Sequence, residues 1–278
     1  MSSSNPPLSE WLVRSLANER WFGDGQPQWD HLPTSAQTKT ERIKRSRLLK
    51  KHGSAQLGTL LANCAPHARC FSGCCPECGR ALQRFVAAQC EKLLVPSKEY
   101  DAVSVVGRTH RRLGRLHTLS VYKFQRYLRR ALRKGHAGIA VGGLDLSFNE
   151  FPRTKQVSRW VPQFWLLIHN ANRARWENVL RKKYPARALV PRPIKIQSWD
   201  GNIAAAGYAL KTSFIRRRTI QTGRYARGEY LACQNTTHDR LRAAERVELF
   251  RYLHKIGLEA RIVLLDVDKV EGGFDVLL

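Results

Sequence analysis

Carboxylates are scarce in this chain: 22 Asp and Glu stand against 48 Lys and Arg over 278 residues, a formal net charge of +26. A surface built only for solubility does not need that excess. The simplest partner is a phosphate polymer, whose condensed counterions the basic groups release. Long apolar runs are also missing. No stretch approaches the roughly 18 residues of a spanning helix, so no membrane role is expected. The opening MSSSNPPLSEWLVR lacks the apolar segment of a secretory signal, and a cytoplasmic location is expected. No G-x-x-x-x-G-K-[ST] loop occurs, GIAVGG lacks the spacing of a dinucleotide fingerprint, and no G-x-S-x-G is present. The usual signatures of nucleotide hydrolysis, hydride transfer and serine hydrolysis are therefore absent.

With 43% hydrophobic residues the chain can bury a substantial core. Residues 1–40, rich in Ser, Pro, Gln and Gly, read as a flexible arm or a loosely docked helix, with one short amphipathic patch, SEWLVRSLANERW. Residues 41–98 join a basic helix, beginning in TERIKRSRLLKK, to a cysteine cluster and the helix GRALQRFVAAQCEKLL. The basic face there is either a nucleic-acid arm or a solvated helix surface. From residue 99 to 278, strands (AVSVVGRT, GIAVGGLDLSFNEF, VPQFWLLIH, RPIKIQSW, ARIVLLDVD) mix with helices (SVYKFQRYLRRALRKG, ANRARWENVLRKKYP, NIAAAGYALKTSF, THDRLRAAERVELFRYLHKIG) without strict βαβ repetition. The expected fold class is α+β, a largely antiparallel sheet flanked by helices, with GGLDLSFNEF and VPQFWLLIH as an antiparallel pair.

Five of the seven cysteines fall in NCAPHARCFSGCCPEC. In a cytoplasmic chain such clustering favours a metal over disulfides, and C-x2-C lets two thiolates reach one tetrahedral ion. Cys64, Cys70, Cys75 and Cys78 are the expected ligands, because adjacent Cys74 and Cys75 do not both point easily at one ion; His67 is the reserve. Four thiolates leave no open position, so the expected role of Zn²⁺ is structural. The lone Cys90 and Cys233 read as small core residues.

Basic residues suited to phosphates cluster twice. The helix SVYKFQRYLRRALRKG puts Val121, Phe124, Leu128 and Leu132 on one stripe and Arg126, Arg129, Arg130 and Arg133 around the rest. The run FIRRRTIQTGRYARG adds Arg216, Arg217, Arg218 and Arg224 as candidate backbone contacts. Trp160, Trp165, Trp176 and Trp199 are either base-stacking platforms or core fillers. The strand VPQFWLLIH sends Gln163, Trp165, Leu167 and His169 to one face and Phe164, Leu166 and Ile168 to the other. Tyr208, among Ile203, Ala206 and Leu210, fits a core tyrosine with its hydroxyl at the rim when read from residue types alone.

Three segments in order resemble the plasmid rolling-circle replication initiators of the HUH endonuclease class, over roughly residues 64–215. CFSGCCPEC resembles their cysteine motif. GGLDLSFNE with RWVPQFWLLI is similar to their acidic strand and its neighbour, usually His-Pro-His-Phe-His. NIAAAGYALKTSF is similar to the helix bearing their nucleophilic tyrosine, commonly Ala-Lys-Tyr-x-x-Lys. The resemblance implies an HUH/ferredoxin-like fold, DNA nicking and joining through Tyr208 with Lys211 one turn later, and Asp145 as ligand to Mg²⁺ or Mn²⁺. Single-stranded or origin DNA is the implied partner, with RNA the less favoured nucleic acid. Where the family has its two metal-binding histidines, this chain has Gln163 and Trp165. An indole offers no lone pair and an amide oxygen is a weak ligand, so the divalent site is degenerate. The alternative is a nuclease-dead DNA- or RNA-binding regulator with a structural zinc.

Overall fold

The computed structural model describes residues 9–24, 32–94, 99–151, 157–187, 190–226 and 229–277, with the side chains of all these except 204 and 220–235. The alternation of VPQFWLLIH makes it a strand, β4 (Arg159–His169), buried on both faces for most of its length. It pairs antiparallel with β3 (Ala140–Glu150) on one side and β1 (Tyr100–Val106) on the other, with Asp145 opposite Gln163 and Gly143 opposite Trp165. β5 (Ile194–Ser198) extends the sheet beyond β1, and the short β2 (Arg111–Arg112) pairs with the start of β4.

The far edge of β3 is shared. β8 (Ile262–Leu265) pairs antiparallel with its first half, at Ala140–Gly143, and β6 (Ile215–Ala226) pairs parallel with its second half, at Ser147–Glu150. β6 then forms a long hairpin with β7 (Glu229–Arg240). The sheet is therefore mixed: β3–β6 is parallel and the other pairings are antiparallel. A separate two-stranded ribbon joins β9 (Val267–Val270) to β10 (Gly273–Val276).

Helices flank both faces. On the Phe164 face lie α5 (Val121–Lys134) and α6 (Arg173–Lys183); Phe124 stacks on Phe164 with centroids 4.3 Å apart. Gly135, which caps α5, sits where a Cβ would come within 2.4 Å of the Trp176 Cα, so only glycine allows the two helices this close. On the Trp165 face α7 (Ala204–Tyr208) rests on the sheet, and α4 (Pro76–Leu93) packs on α7. Behind α4 stand α2 (Ser35–Lys51) and α3 (Ala55–Ala62). α8 (Ala243–Ile256) reaches both layers: Glu248 accepts from the Trp160 indole, while Phe250 lies beneath the Arg45 guanidinium.

Three local expectations are corrected. The stretch expected as a flexible arm or a loosely docked helix is closely packed over residues 9–24: α1 (Glu10–Ser15) is capped by Ser9, Trp11 stacks on Phe274, Trp21 meets Phe85 edge-on, and Leu12, Leu16 and Trp21 are at most 2% exposed. Burying such side chains stabilises by roughly 1.5–3 kcal/mol each, enough to overcome polar composition nearby. The terminal helix begins at Ala243, and the THDR placed within it belongs to β7. ARIVLLDVD is two strands, because Asp266 takes a left-handed backbone (φ 51°), which aspartate tolerates better than most residues, and turns the chain from β8 into β9. Among the described residues no helix is long and apolar enough to cross a membrane.

Gly143 fixes how closely α7 approaches the sheet: a Cβ there would lie 2.6 Å from Leu210 Cδ2 and 2.8 Å from the Ala209 carbonyl oxygen. Gly143→Ala should therefore cost about 1–3 kcal/mol, as overpacking does, and the denaturant midpoint should fall at unchanged m-value.

Candidate functional site

The Asp-Gly turn before α7 forms as its residues dictate. Gly201 has φ 84°, Asp200 Oδ1 accepts from the Asn202 amide at 2.9 Å, and the Trp199 indole donates to the Asn202 carbonyl at 3.0 Å. The helix that follows is shorter than the expected NIAAAGYALKTSF, ending at Tyr208. A single turn containing glycine has no stability of its own. It is held by burial of Ala206, Ala209 and Leu210 and by Gln83 of α4, which donates to the Gly207 carbonyl at 3.0 Å. After it, the Lys211 amide bonds back to the Tyr208 carbonyl at 3.1 Å, so the two side chains leave the turn together.

Their meeting point is the centre of the site. Lys211 Nζ lies 3.2 Å from the Tyr208 hydroxyl and 3.0 Å from Asp145 Oδ2. Asp145 is 2% exposed and Lys211 8%, whereas Tyr208 is 46% exposed. Asp145 Oδ1 accepts from the Leu146 amide at 2.8 Å. Behind the pair, fully buried Arg261 donates to the Lys211 carbonyl at 2.7 Å. Burial pulls the Arg261 guanidinium down to about 10, against which the Asp145 charge acts. Trp165 presents its ring edge-on to Tyr208, with centroids 5.5 Å apart. The group opens into a cleft of about 500 Å³ whose walls include Leu32, Gln83, Asp200, Ala205 and Thr212. Asp145, Gln163, Trp165, Tyr208 and Lys211 thus come together on one face of the sheet. His169 lies at the other end of β4, where its Nε2 is 3.4 Å from Glu99.

The donors do not fit a divalent ion. Both Asp145 oxygens are engaged, Gln163 is neutral and buried, and the indole of Trp165 has no lone pair to give. A cationic ammonium already neutralises the only carboxylate in the group.

The cysteine cluster is different. The Sγ atoms of Cys64, Cys70, Cys75 and Cys78 lie within 4.8 Å of one another, and among the described residues no other group of three or more His, Cys, Asp or Glu side chains gathers in this way. These four could hold a metal ion. Cys64 follows α3, a tight turn closed by Ala65 and Ala68 leads to Cys70, and Cys75 and Cys78 open α4, with Pro76 at its first position. Hydrogen bonds from Cys70, Cys75 and Cys78 pull the Cys64 thiol down, burial pushes Cys75 up, and bonding to Cys64 pushes Cys78 up. Four thiols this close suit a cation, whose binding would displace their protons. Cys74 stands apart: burial pushes it up to about 12, and it pairs with Ser72 Oγ at 3.2 Å. His67 is not among the cluster. Cys90 is buried, as expected of a core residue, and the Cys233 side chain lies outside those described.

The knuckle is mechanically tied to the tyrosine turn. Arg45 of α2 donates to the Cys74 carbonyl at 3.0 Å and to the Thr212 carbonyl at 2.8 Å. Gly79, one residue past Cys78, lets Thr212 lie where a Cβ would be 2.4 Å from its Cγ2.

The expected phosphate contacts divide. Arg216 is removed from them: it is 3% exposed and bonds Glu150 at 2.9 Å as well as Glu245, so it is a structural ion pair. Arg218 pairs with Asp239 at 3.3 Å, half exposed. Arg217, in register with Asn149 and so with Arg159, shares the sheet face of Asp145, and stands roughly 13 Å along it at ~3.3 Å per residue. Arg224 is on β6, its side chain outside those described. Arg126, Arg129, Arg130 and Arg133 belong to α5, across the sheet from Tyr208; burial pulls Arg129 down and Arg133 lies 3.8 Å from Asp266. Trp160 and Trp176 are fully buried and Trp199 nearly so, which makes them core; only Trp165 of the four faces the cleft. The residues sequence reasoning missed are Arg261, Gln83 and Arg45, polar groups whose burial no local pattern signals.

No family model, curated protein or solved structure matches this chain.

If the four sulfurs hold one ion, the purified protein should carry one equivalent of metal per chain. Cys78→Ser should abolish it and lower stability, whereas Cys74→Ser should retain it, as read by elemental analysis and thermal unfolding.

Proposed function

We propose that the protein binds single-stranded DNA and acts on it as an initiator-like transesterase, with Tyr208 as nucleophile on an HUH/ferredoxin-like sheet and Lys211 in place of the divalent ion. The observation that carries this reading is half-exposed Tyr208 at an open cleft, its hydroxyl 3.2 Å from an ammonium that is itself fixed by a buried carboxylate. The chain's +26 charge supports a phosphate polymer as ligand. The order of the cysteine, acidic-strand and tyrosine segments favours DNA over RNA.

In this mechanism the Tyr208 oxygen bonds to a backbone phosphorus as the bond from phosphorus to the 3′ oxygen breaks. The products are a 5′-phosphotyrosine and a 3′ hydroxyl; the phenolic proton is lost and the departing oxygen takes one up. Phosphoryl transfer asks chiefly for positioning and for stabilisation of charge on the non-bridging oxygens. Lys211 supplies the charge, held by Asp145 so that it need not reorganise. Trp165 orients the attacking ring by edge-on contact. Arg159 and Arg217 would track the backbone along the same sheet face.

For the cysteine cluster the reading is a structural Zn²⁺. A tetrahedron with metal–sulfur bonds near ~2.3 Å has edges of about 3.8 Å, and the Sγ separations Cys64–Cys78, Cys75–Cys64 and Cys70–Cys78 are 3.7, 3.8 and 3.9 Å. Four sulfurs close the shell, and the ties through Arg45 and Thr212 make its work the support of the tyrosine turn.

Incubating the chain with labelled single-stranded DNA should give a covalent adduct that Tyr208→Phe abolishes and that persists in EDTA too dilute to strip the thiolate-bound metal. Lys211→Met should slow adduct formation by about 100-fold or more, the scale of one preorganised electrostatic donor. An adduct that appears only on adding Mg²⁺ or Mn²⁺ would overturn the role given to Lys211. No adduct on any strand, with salt-sensitive binding intact in Tyr208→Phe, would replace the enzyme by a binding-only regulator.

A further inference from the structure

A second cleft, of about 400 Å³, opens on the α5 side of the sheet, away from Tyr208. Its lining includes Arg108, Arg111, Lys123, Phe124, Tyr127 and Tyr184, and among all the residues that line it there are three cations and no carboxylate. The floor is aromatic: Tyr127 meets Tyr184 edge-on at 5.6 Å, and Phe124 continues the surface. Gly107 brings the loop carrying Arg108 onto Phe124, since a Cβ there would lie 2.4 Å from that ring. Arg187 braces the loop, donating to the Arg108 carbonyl at 3.1 Å. Arg108 in turn donates to the Tyr127 hydroxyl at 3.3 Å.

One group is left unanswered. Tyr184 is 1% exposed, and its buried hydroxyl has no hydrogen-bond partner. An unsatisfied buried hydroxyl costs about 1–3 kcal/mol, and among the residues that line this cleft Tyr184 is the one that carries such an atom. Burial pushes this phenol up and the charge of Tyr127 adds to that, while the Arg108 charge works against both.

We infer that this cleft binds a nucleoside monophosphate unit, its phosphate held by Arg108, Arg111 and Lys123, its base against Tyr127 and Phe124, and a polar atom of the ligand accepting from the Tyr184 hydroxyl. Cations together with aromatic rings in one pocket suit a phosphate bearing a stackable base rather than a bare anion. The unit is either a free nucleotide or one residue of a bound strand. The site stands across the sheet from Tyr208 and does not depend on the chemistry assigned there.

Calorimetric titration of the full chain with 2′-deoxyadenosine 5′-monophosphate, a deoxyadenosine 12-mer and inorganic phosphate tests the assignment. Tyr184→Phe removes only the unpartnered hydroxyl, so the free protein should be at least as stable as the parent, while affinity for the mononucleotide should fall about tenfold. Lys123→Gln should weaken it several-fold, and Tyr208→Phe should leave it unchanged. Displacement of the mononucleotide by the 12-mer identifies a strand residue as the natural occupant; failure of the 12-mer to displace it identifies a free nucleotide. The inference is overturned by unchanged affinity in both Tyr184→Phe and Lys123→Gln, by phosphate binding as tightly as the nucleotide, or by no binding of any of the three probes.

Discussion

A buried carboxylate has to be neutralised, and the way Asp145 meets that demand organises the rest of the site. At 2% exposure an unpaired charge there would cost several kcal/mol, and removing one partner of such a pair typically destabilises by ~3–5 kcal/mol. Lys211 supplies the counter-charge at 3.0 Å, and buried Arg261 holds the Lys211 carbonyl from behind. Because Lys211 can reach Asp145 only if the chain turns sharply after Tyr208, the ion pair fixes the turn, and the turn delivers the phenol to the cleft with an ammonium beside it. The same pair disqualifies Asp145 as a metal ligand. One electrostatic constraint thus explains both the geometry of the tyrosine and the poor fit of this group to a divalent ion.

The cysteine knuckle extends that constraint outward. Its last two sulfurs begin α4, whose Gln83 holds the Gly207 carbonyl, and its backbone at Cys74 shares Arg45 with Thr212. Each contact is a hydrogen bond worth roughly 1 kcal/mol on its own. Their effect is collective, since the five-residue α7 has too few internal bonds to hold its own position. An ion bound by these four sulfurs would therefore act at a distance on the turn that presents Tyr208.

How much of this was legible follows from where the information lies. The pairing of β3 with β4 could be read because alternation with period two is local, and Asp145 falls opposite Gln163 once that register is set. The cysteine cluster could be read because three of its four members sit within one short segment. The β6–β7 hairpin could not. Its run of arginines looks like a surface for phosphates, yet Ile215, Thr219, Ile220, Thr222 and Tyr225 carry the β-branched and aromatic residues of a strand. Arg216 in particular is buried only because Glu150 and Glu245 arrive from elements far away in sequence. Docking of residues 9–24 rests likewise on Phe85 and Phe274, which no local pattern links to Trp11 and Trp21.

Gln163 and Trp165 each shape the surroundings of Asp145 and Tyr208, one by register and the other by ring contact. Gln163 is 7% exposed beside Asp145, where a second cation would have competed with Lys211 for one carboxylate. Trp165 meets the ring of Tyr208 edge-on, a contact worth about 0.5–1.5 kcal/mol beyond area burial, and so limits the motion of a side chain that is 46% exposed. A metal ion does two things beside a tyrosine nucleophile: it supplies positive charge, and it orders the groups around the reacting phosphate. Under the mechanism we propose, the first falls to Lys211 and the second is shared between the indole and the ion pair. In that proposal side chains provide what a bound cation otherwise would, and the charge is set by folding rather than by the concentration of a free ion.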